Sequence, residues 1–212
     1  MSSRAMPATL ADAIWTTKSG SRSWLRNGAL AVVGSLFVAA CSQIQVPMWP
    51  VPMTMQTFAV MTVGMAMGWR LGAATLALYT LEGALGLPVF AGFSAGPGVL
   101  MGPTGGYILP GFILGAACVG YLAERGWDRK VWKSAVANTL GTLVLFVPGV
   151  AWLATFYAAA DGPSIAGTGA ETALGAAVVT GVVPFLLGGA LKIALATAVV
   201  RAGWGVFNRL RG

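Results

Sequence analysis

Lys192 is the residue of this chain best placed to do chemistry. It stands in residues 176–200, a run that holds no other charge. An ammonium group within such a run costs at least about 2.5–3.5 kcal/mol in a membrane, and residues of this kind face a bundle interior or a polar cavity. The chemistry that offsets the cost is binding of an anion or of strong hydrogen-bond acceptors. Catalytic partners are lacking. The chain has no His, two Cys and six Asp and Glu, so neither a Ser-His or Cys-His nucleophile nor an ordinary zinc or di-metal centre is expected. No G-x-x-x-x-G-K-[ST] loop is present, so ATP hydrolysis would fall to a partner. The reading is a binding protein without catalytic residues, metal or cofactor.

Two uncharged, Gly- and Pro-rich stretches accompany the lysine. The first, Gln43 to Thr57, includes Met48, Trp49, Pro50, Pro52, Met53, Thr54 and Gln56. Proline restricts the backbone to an extended, semi-rigid path. This segment is either a lid over a pocket or an interfacial loop with Trp49 at headgroup level. The second runs through Pro88, Phe90, Phe93 and Ser94 into Gly102-Pro103-Thr104-Gly105-Gly106-Tyr107. Gly105 and Gly106 open a predicted helix, where free N–H groups and the positive dipole end favour an anion. Glycine pairs also serve close helix packing, and both readings stand.

Positioning these residues requires a membrane scaffold. Of the 212 residues, 57% are hydrophobic and 9% charged, against about 25% charged in soluble domains. Apolar periodicity and length predict an all-α protein of six transmembrane helices, at about 28–45, 57–69, 71–87, 105–123, 133–159 (bent or broken near Pro148-Gly149) and 172–200. Lys18, Arg22 and Arg26 precede the first span. Arg70 parts the second and third, and Arg125, Arg129, Lys130 and Lys133 part the fourth and fifth. Arg201, Arg209 and Arg211 follow the sixth, while connections 42–56, 88–104 and 162–170 hold no Lys or Arg. The positive-inside rule then places both termini in the cytoplasm. Residues 1–26 form a cytoplasmic tail, 27–201 the membrane domain and 202–212 a basic tail. The net charge of +7 serves topology, so nucleic-acid binding is not expected.

Ala31, Ser35 and Ala39 form a stripe of small residues on the first span, which admits close approach by another helix of this chain or of a partner. Lys192 lies about nine residues from the inner end of its span, roughly 13 Å deep. Its side chain leans toward the helix N-terminus and away from the nearer interface.

The segments Val51-Pro52-Met53-Thr54-Met55-Gln56-Thr57-Phe58, Gly86-Leu87-Pro88-Val89-Phe90-Ala91-Gly92, Gly102-Pro103-Thr104-Gly105-Gly106-Tyr107, Gly149-Val150-Ala151-Trp152-Leu153 and Pro184-Phe185-Leu186 with Lys192 together resemble the biotin-specific S component of energy-coupling-factor transporters, the BioY family. They fall in family order between Ala29 and Val200. The resemblance implies a six-helix subunit in the bacterial cytoplasmic membrane that captures biotin from outside. A transmembrane coupling subunit and two ATPases would complete the transporter, with the stripe of the first span offered to the coupling subunit. Homo-oligomerisation is left open. For the site, the resemblance points to Lys192, Gln56, Thr54, Trp49, Phe90, Ser94, Thr104, Tyr107, Asn138 and Gly189. It also exposes a departure: the family reads Pro-Phe-Leu-Pro-Gly-Asp-x-x-Lys, whereas here Leu187 and Gly189 replace the second Pro and the Asp. An Asp three residues before Lys192 would share its helix face and pair with it. Two rival readings are an S component for another vitamin and a ligand-free membrane scaffold.

Overall fold

The computed structural model describes residues 7–15, 21–159 and 165–211; Lys18, used above for orientation, lies outside them. The chain is helical almost throughout: α1 (Leu10–Ile14), α2 (Ser21–Ser42), α3 (Gln56–Ala84), α4 (Pro97–Met101), α5 (Phe112–Glu124), α6 (Val131–Ala158), α7 (Ala173–Gly181) and α8 (Phe185–Arg211). Among the described residues the expectation of an all-α fold holds but for one short hairpin. Strands β1 (Gln45–Val46) and β2 (Met53–Thr54) pair antiparallel, Gln45 opposite Thr54 and Val46 opposite Met53. Among the described residues, four helical segments, at Ser23–Ser42, Tyr107–Glu124, Val131–Ala158 and Phe185–Leu210, are long and apolar enough to cross a membrane.

Predicted spans two and three are the two arms of α3. Gly68 has φ 81° and ψ 176°, a conformation open to glycine and costly for residues with a Cβ. A Cβ on Gly72 would stand 3.0 Å from the Cα of Gly64, yet eight residues of straight helix rise about 12 Å. The chain therefore doubles back at Gly68. Glu124 holds the turn, its Oε1 accepting from the Trp69 amide at 3.1 Å. The helix starts and ends at the same end of the bundle, where Gln56 bonds Tyr79.

Helix α5 lies between α3 and α6 at backbone contact. A Cβ on Gly64 would meet the Ala116 carbonyl at 2.5 Å, and one on Gly141 would meet Val119 at 2.3 Å. Small residues permit this approach, which gains dispersion contacts where lipid offers no hydrophobic drive. Helix α6 continues through Pro148 rather than breaking there. Its backbone is packed at that level, with Gly106 against the Pro148 carbonyl and the Tyr107 ring against Gly149. Neighbours of this kind let a transmembrane helix carry a proline.

The sixth predicted span is two helices. Helix α7 begins with Thr172 capping the Gly175 amide at 3.1 Å and ends at Gly181. Pro184, which lacks an N–H, directly precedes α8, a place where the missing donor would have gone unused anyway. Helix α8 then runs to Arg211, past the expected end near residue 200. The bundle thus has a loop end, with the hairpin and residues 85–106, and a basic end, with Arg70, Arg125, Arg129 and Arg201. At the basic end α1 docks, with Leu10 buried beside Gly203 and Asp12 paired with Arg26 at 2.9 Å.

Candidate binding site

A cavity of about 130 Å³, counted as space open to the centres of water molecules, opens inside the loop end. One water needs roughly 10–15 Å³ on that measure, so the space suits a small organic molecule. Its walls come from the hairpin and α3 (Val51, Pro52, Thr54, Gln56, Thr57), the loop after α3 (Phe90, Ala91, Ser94), the entry to α5 (Thr104, Tyr107, Ile108, Phe112), α6 (Thr142, Leu145, Phe146) and α8 (Phe185, Gly189, Lys192). Apolar walls with a few polar groups are the usual make-up of a small-molecule site.

Eight of the ten expected site residues line this space: Thr54, Gln56, Phe90, Ser94, Thr104, Tyr107, Gly189 and Lys192. Trp49 does not. It sits between the two strands of the hairpin and is 74% exposed, because β1 and β2 pair tightly and leave the turn outside. Val51 and Pro52 take the covering place expected of Trp49. Asn138 is fully buried but absent from the walls, and donates instead to Thr197 Oγ1 at 3.1 Å across the α6–α8 contact.

The polar side chains are tied into the fold. Thr54 donates to Gln56 Oε1 at 2.8 Å, and Gln56 Nε2 donates to the Tyr79 hydroxyl at 2.7 Å. Tyr79 passes its own proton to the Val89 carbonyl at 2.9 Å. This chain of bonds joins the hairpin, both arms of α3 and the loop that carries Phe90. Ser42 also donates to Val89 O at 2.8 Å, and Gln43 donates to Phe90 O at 3.0 Å. Tyr107 donates to the Gly181 carbonyl at the α7 terminus. Trp152 donates to Gly102 O at 2.9 Å.

Among the described residues, Lys192 is the one charged residue in the walls. It is 6% exposed, and among the described residues no carboxylate pairs with it. Its depth follows from the helices. Helix α6 rises from the basic end, so Asn138 lies one turn below Thr142, whose hydroxyl donates to the Asn138 carbonyl at 2.8 Å. Helix α8 descends, so Lys192 lies just above Thr197, the partner of Asn138. Thr142 and Lys192 thus form the cavity floor, sealed beneath by the Asn138–Thr197 bond. A Cβ on Gly189 would have nothing within 4 Å, whereas one on neighbouring Gly188 would meet Met53 Sδ at 2.8 Å.

The Gly105–Gly106 pair serves packing. A Cβ at Gly105 would overlap the Leu100 carbonyl, and one at Gly106 would stand 2.2 Å from Trp152 Cβ. The Gly105 amide is already bonded to Gly102 O at 3.0 Å. The stripe on α2 is likewise used within the chain. Ser35 is fully buried and donates to Glu82 Oε1 at 3.1 Å, and Ala31 is buried beside it. Ala39 packs half-buried against the same core. The helix that this stripe meets within the chain is α3, through the Ser35–Glu82 bond.

Several wall residues escaped the sequence reading, among them Thr142, Leu145, Phe146 and Phe185. A signal did exist on α6, where residues 138, 142, 145 and 149 fall on one face at helical spacing. That spacing marks core and cavity alike.

The profile of the BioY family matches residues 10–209. The probable biotin transporter BioY of Pyrococcus horikoshii is 36% identical over 181 residues, spanning 84% of this chain and 93% of that protein. The biotin transporter BioY of Thermotoga maritima is 42% identical over 129 residues, spanning 61% and 70%. Among solved structures, the S-component for biotin from an ECF-type ABC transporter superposes with a TM-score of 0.71 at 18% identity, covering 87% of this chain and 94% of that one. The last likeness speaks for the fold.

Proposed function

Since the chain belongs to the BioY family, we propose that it is the biotin-binding S component of an uptake transporter, a multi-pass membrane protein and not an enzyme. The observation that carries this is the cavity behind the hairpin, with apolar walls, hydroxyls near its mouth and one lysine at its floor. Biotin offers a carboxylate, a polar ureido ring and an apolar chain with a sulfur ring, which such walls suit. A ligand-free scaffold would need no such cavity.

The two arms of α3 act as spans two and three, which gives six spans. They are short, at 56–67 and 69–84, so the bilayer must thin around them or their flanks must reach the interface. The basic end faces the cytoplasm by the charge rule, with both termini there and the cavity opening outward. The membrane is the inner membrane of a bacterium. Energy comes from a coupling subunit and two ATPases. With the small-residue stripe turned inward, the face of α2 left for the coupling subunit or lipid carries Val32, Val33 and Leu36, all exposed.

The test is calorimetric titration of biotin into the full chain in detergent. Saturable one-to-one binding is expected. Its absence from folded protein, with binding of another vitamin, would replace biotin as the ligand.

A further inference from the structure

At the basic end, the turn of α3 and the end of α5 lie in backbone contact: a Cβ on Gly120 would stand 2.5 Å from the Trp69 amide nitrogen. Each backbone brings a cation to this place, Arg70 after Trp69 and Arg125 after Glu124. The carboxylates nearby are engaged elsewhere. Glu124 accepts from the Trp69 amide at 3.1 Å, and Asp128 is fully buried against Trp204. Both cations are exposed, and among the described residues neither forms an ion pair. Aromatic rings nevertheless hold them in place. The Arg70 guanidinium carbon lies 5.0 Å from the centre of the Trp69 ring. That of Arg125 lies 3.4 Å from the centre of the Tyr121 ring, and Arg125 Nη1 donates to the Tyr121 carbonyl at 3.3 Å. One of its five donors thus goes to the end of α5 and the others remain. Stacking on a ring fixes a guanidinium while leaving its N–H edge open to an anion, so part of the ordering cost of binding is met beforehand.

The surroundings say what kind of anion fits. Trp69, Tyr121 and Leu114 present exposed apolar surface beside the cations, the last two seven residues apart on one face of α5. The arms of α3, 56–67 and 69–84, rise about 18 Å and about 24 Å, against a hydrocarbon core of about 30 Å. Two fixed cations at so shallow a turn require headgroups to come to them. We propose that the turn of α3 and the end of α5 bind an anionic phospholipid of the cytoplasmic leaflet. Its phosphate is held between Arg70 and Arg125, and its acyl chains lie along Tyr121 and Leu114. The bilayer is thereby drawn in around the two short spans. Soluble phosphate would match the guanidinium pair but not the apolar face beside it. The proposal rests on the membrane placement given above and is independent of which vitamin fills the cavity.

The test is native mass spectrometry of the full chain, released from micelles that supply phosphatidylglycerol and phosphatidylcholine in equal amounts. Arg70→Gln/Arg125→Gln is compared with Lys130→Gln/Arg209→Gln, which removes the same charge elsewhere in the chain. Thermal melting checks that each variant is folded. The wild-type chain is expected to retain phosphatidylglycerol in preference to phosphatidylcholine. Arg70→Gln/Arg125→Gln should lose roughly thirtyfold of that preference, and the control pair should keep most of it. Should the double variant fail to fold, Arg70→Gln alone carries the test, with an expected loss of about fivefold. Preference for neither lipid in the wild-type chain would overturn the proposal and leave the membrane placement standing. Equal losses in the two double variants would also overturn it, by reducing the effect to overall charge. Displacement of phosphatidylglycerol by excess inorganic phosphate would overturn it too, by making the site one for the free anion. Retention of no lipid by the folded wild-type chain would count against the proposal and the membrane placement together.

Discussion

The ring of Phe90 lies on the backbone of Gly83: a Cβ placed there would stand 2.1 Å from Phe90 Cζ. Phe90 is fully buried and meets Tyr79 edge to face, with ring centroids 5.6 Å apart. The Gly96 amide bonds the Gly83 carbonyl at 2.7 Å. One glycine near the end of α3 thus seats the loop that forms one wall of the cavity.

Gly83→Ala is expected to expel Phe90. Overpacking of a filled site costs about 1–3 kcal/mol, and the displaced ring deforms the wall at Ala91 and Ser94. Both melting temperature and biotin affinity should fall. Gly98→Ala, where a Cβ meets nothing within 4 Å, is the control and should leave both unchanged. Equal behaviour of the two variants would show that the Phe90 seat is unimportant.

Tyr79→Phe removes the donor to Val89 O and the acceptor for Gln56 Nε2. Leaving buried polar groups unpaired costs about 1–3 kcal/mol. Adding Gln56→Leu removes one of the orphans, so the double variant should lose less stability than the sum of the singles, as members of one network do. Denaturation of the four proteins completes the cycle. Additive losses would mean that the bonds are not coupled.

Ser35→Leu places a large side chain at a fully buried position on the α2–α3 contact and removes the donor to Glu82. Loss of stability is expected, with loss of biotin binding and of assembly alike. Leu36→Ala, one residue on and 59% exposed, should spare biotin binding. A Ser35→Leu chain that melts normally and binds biotin would show that the stripe faces outward after all.

At the basic end, burial pushes the Asp128 carboxyl above the ordinary range, and the Trp204 indole N–H with Arg129 and Arg201 pulls it part of the way back. A raised carboxyl in the folded state means that the fold binds this proton more tightly than the open chain does. Stability at this site therefore rises as pH falls toward the folded value, and the gain is complete below the ordinary carboxylate range. Asp128→Asn keeps an acceptor for Trp204 and cannot titrate. The melting temperature of the wild-type chain minus that of the variant should rise between about pH 7 and about pH 4. A flat difference would contradict the upward displacement.

Much of this protein was legible in its residues because membrane physics leaves few choices. Apolar runs longer than about 17 residues become helices, since hydrocarbon offers backbone groups no other partner. A lysine inside such a run must face protein or a cavity, and Lys192 does. The family motifs were readable for the same local reason: Val51 to Phe58 and Gly102 to Tyr107 each stay contiguous in the fold. Tertiary structure decided the rest. That α3 doubles back at Gly68, that Pro184 divides a span while Pro148 does not, and that Ser35 turns toward Glu82 all depend on which neighbour stands beside each helix. Trp49 and Asn138 had the right chemistry and lay in the right segments, but the hairpin pairing set the first outside and the α6–α8 contact drew the second beneath the floor. Residue type carries what a side chain can bond, whereas the packing of distant elements decides which of those bonds are already taken and which are left for a ligand.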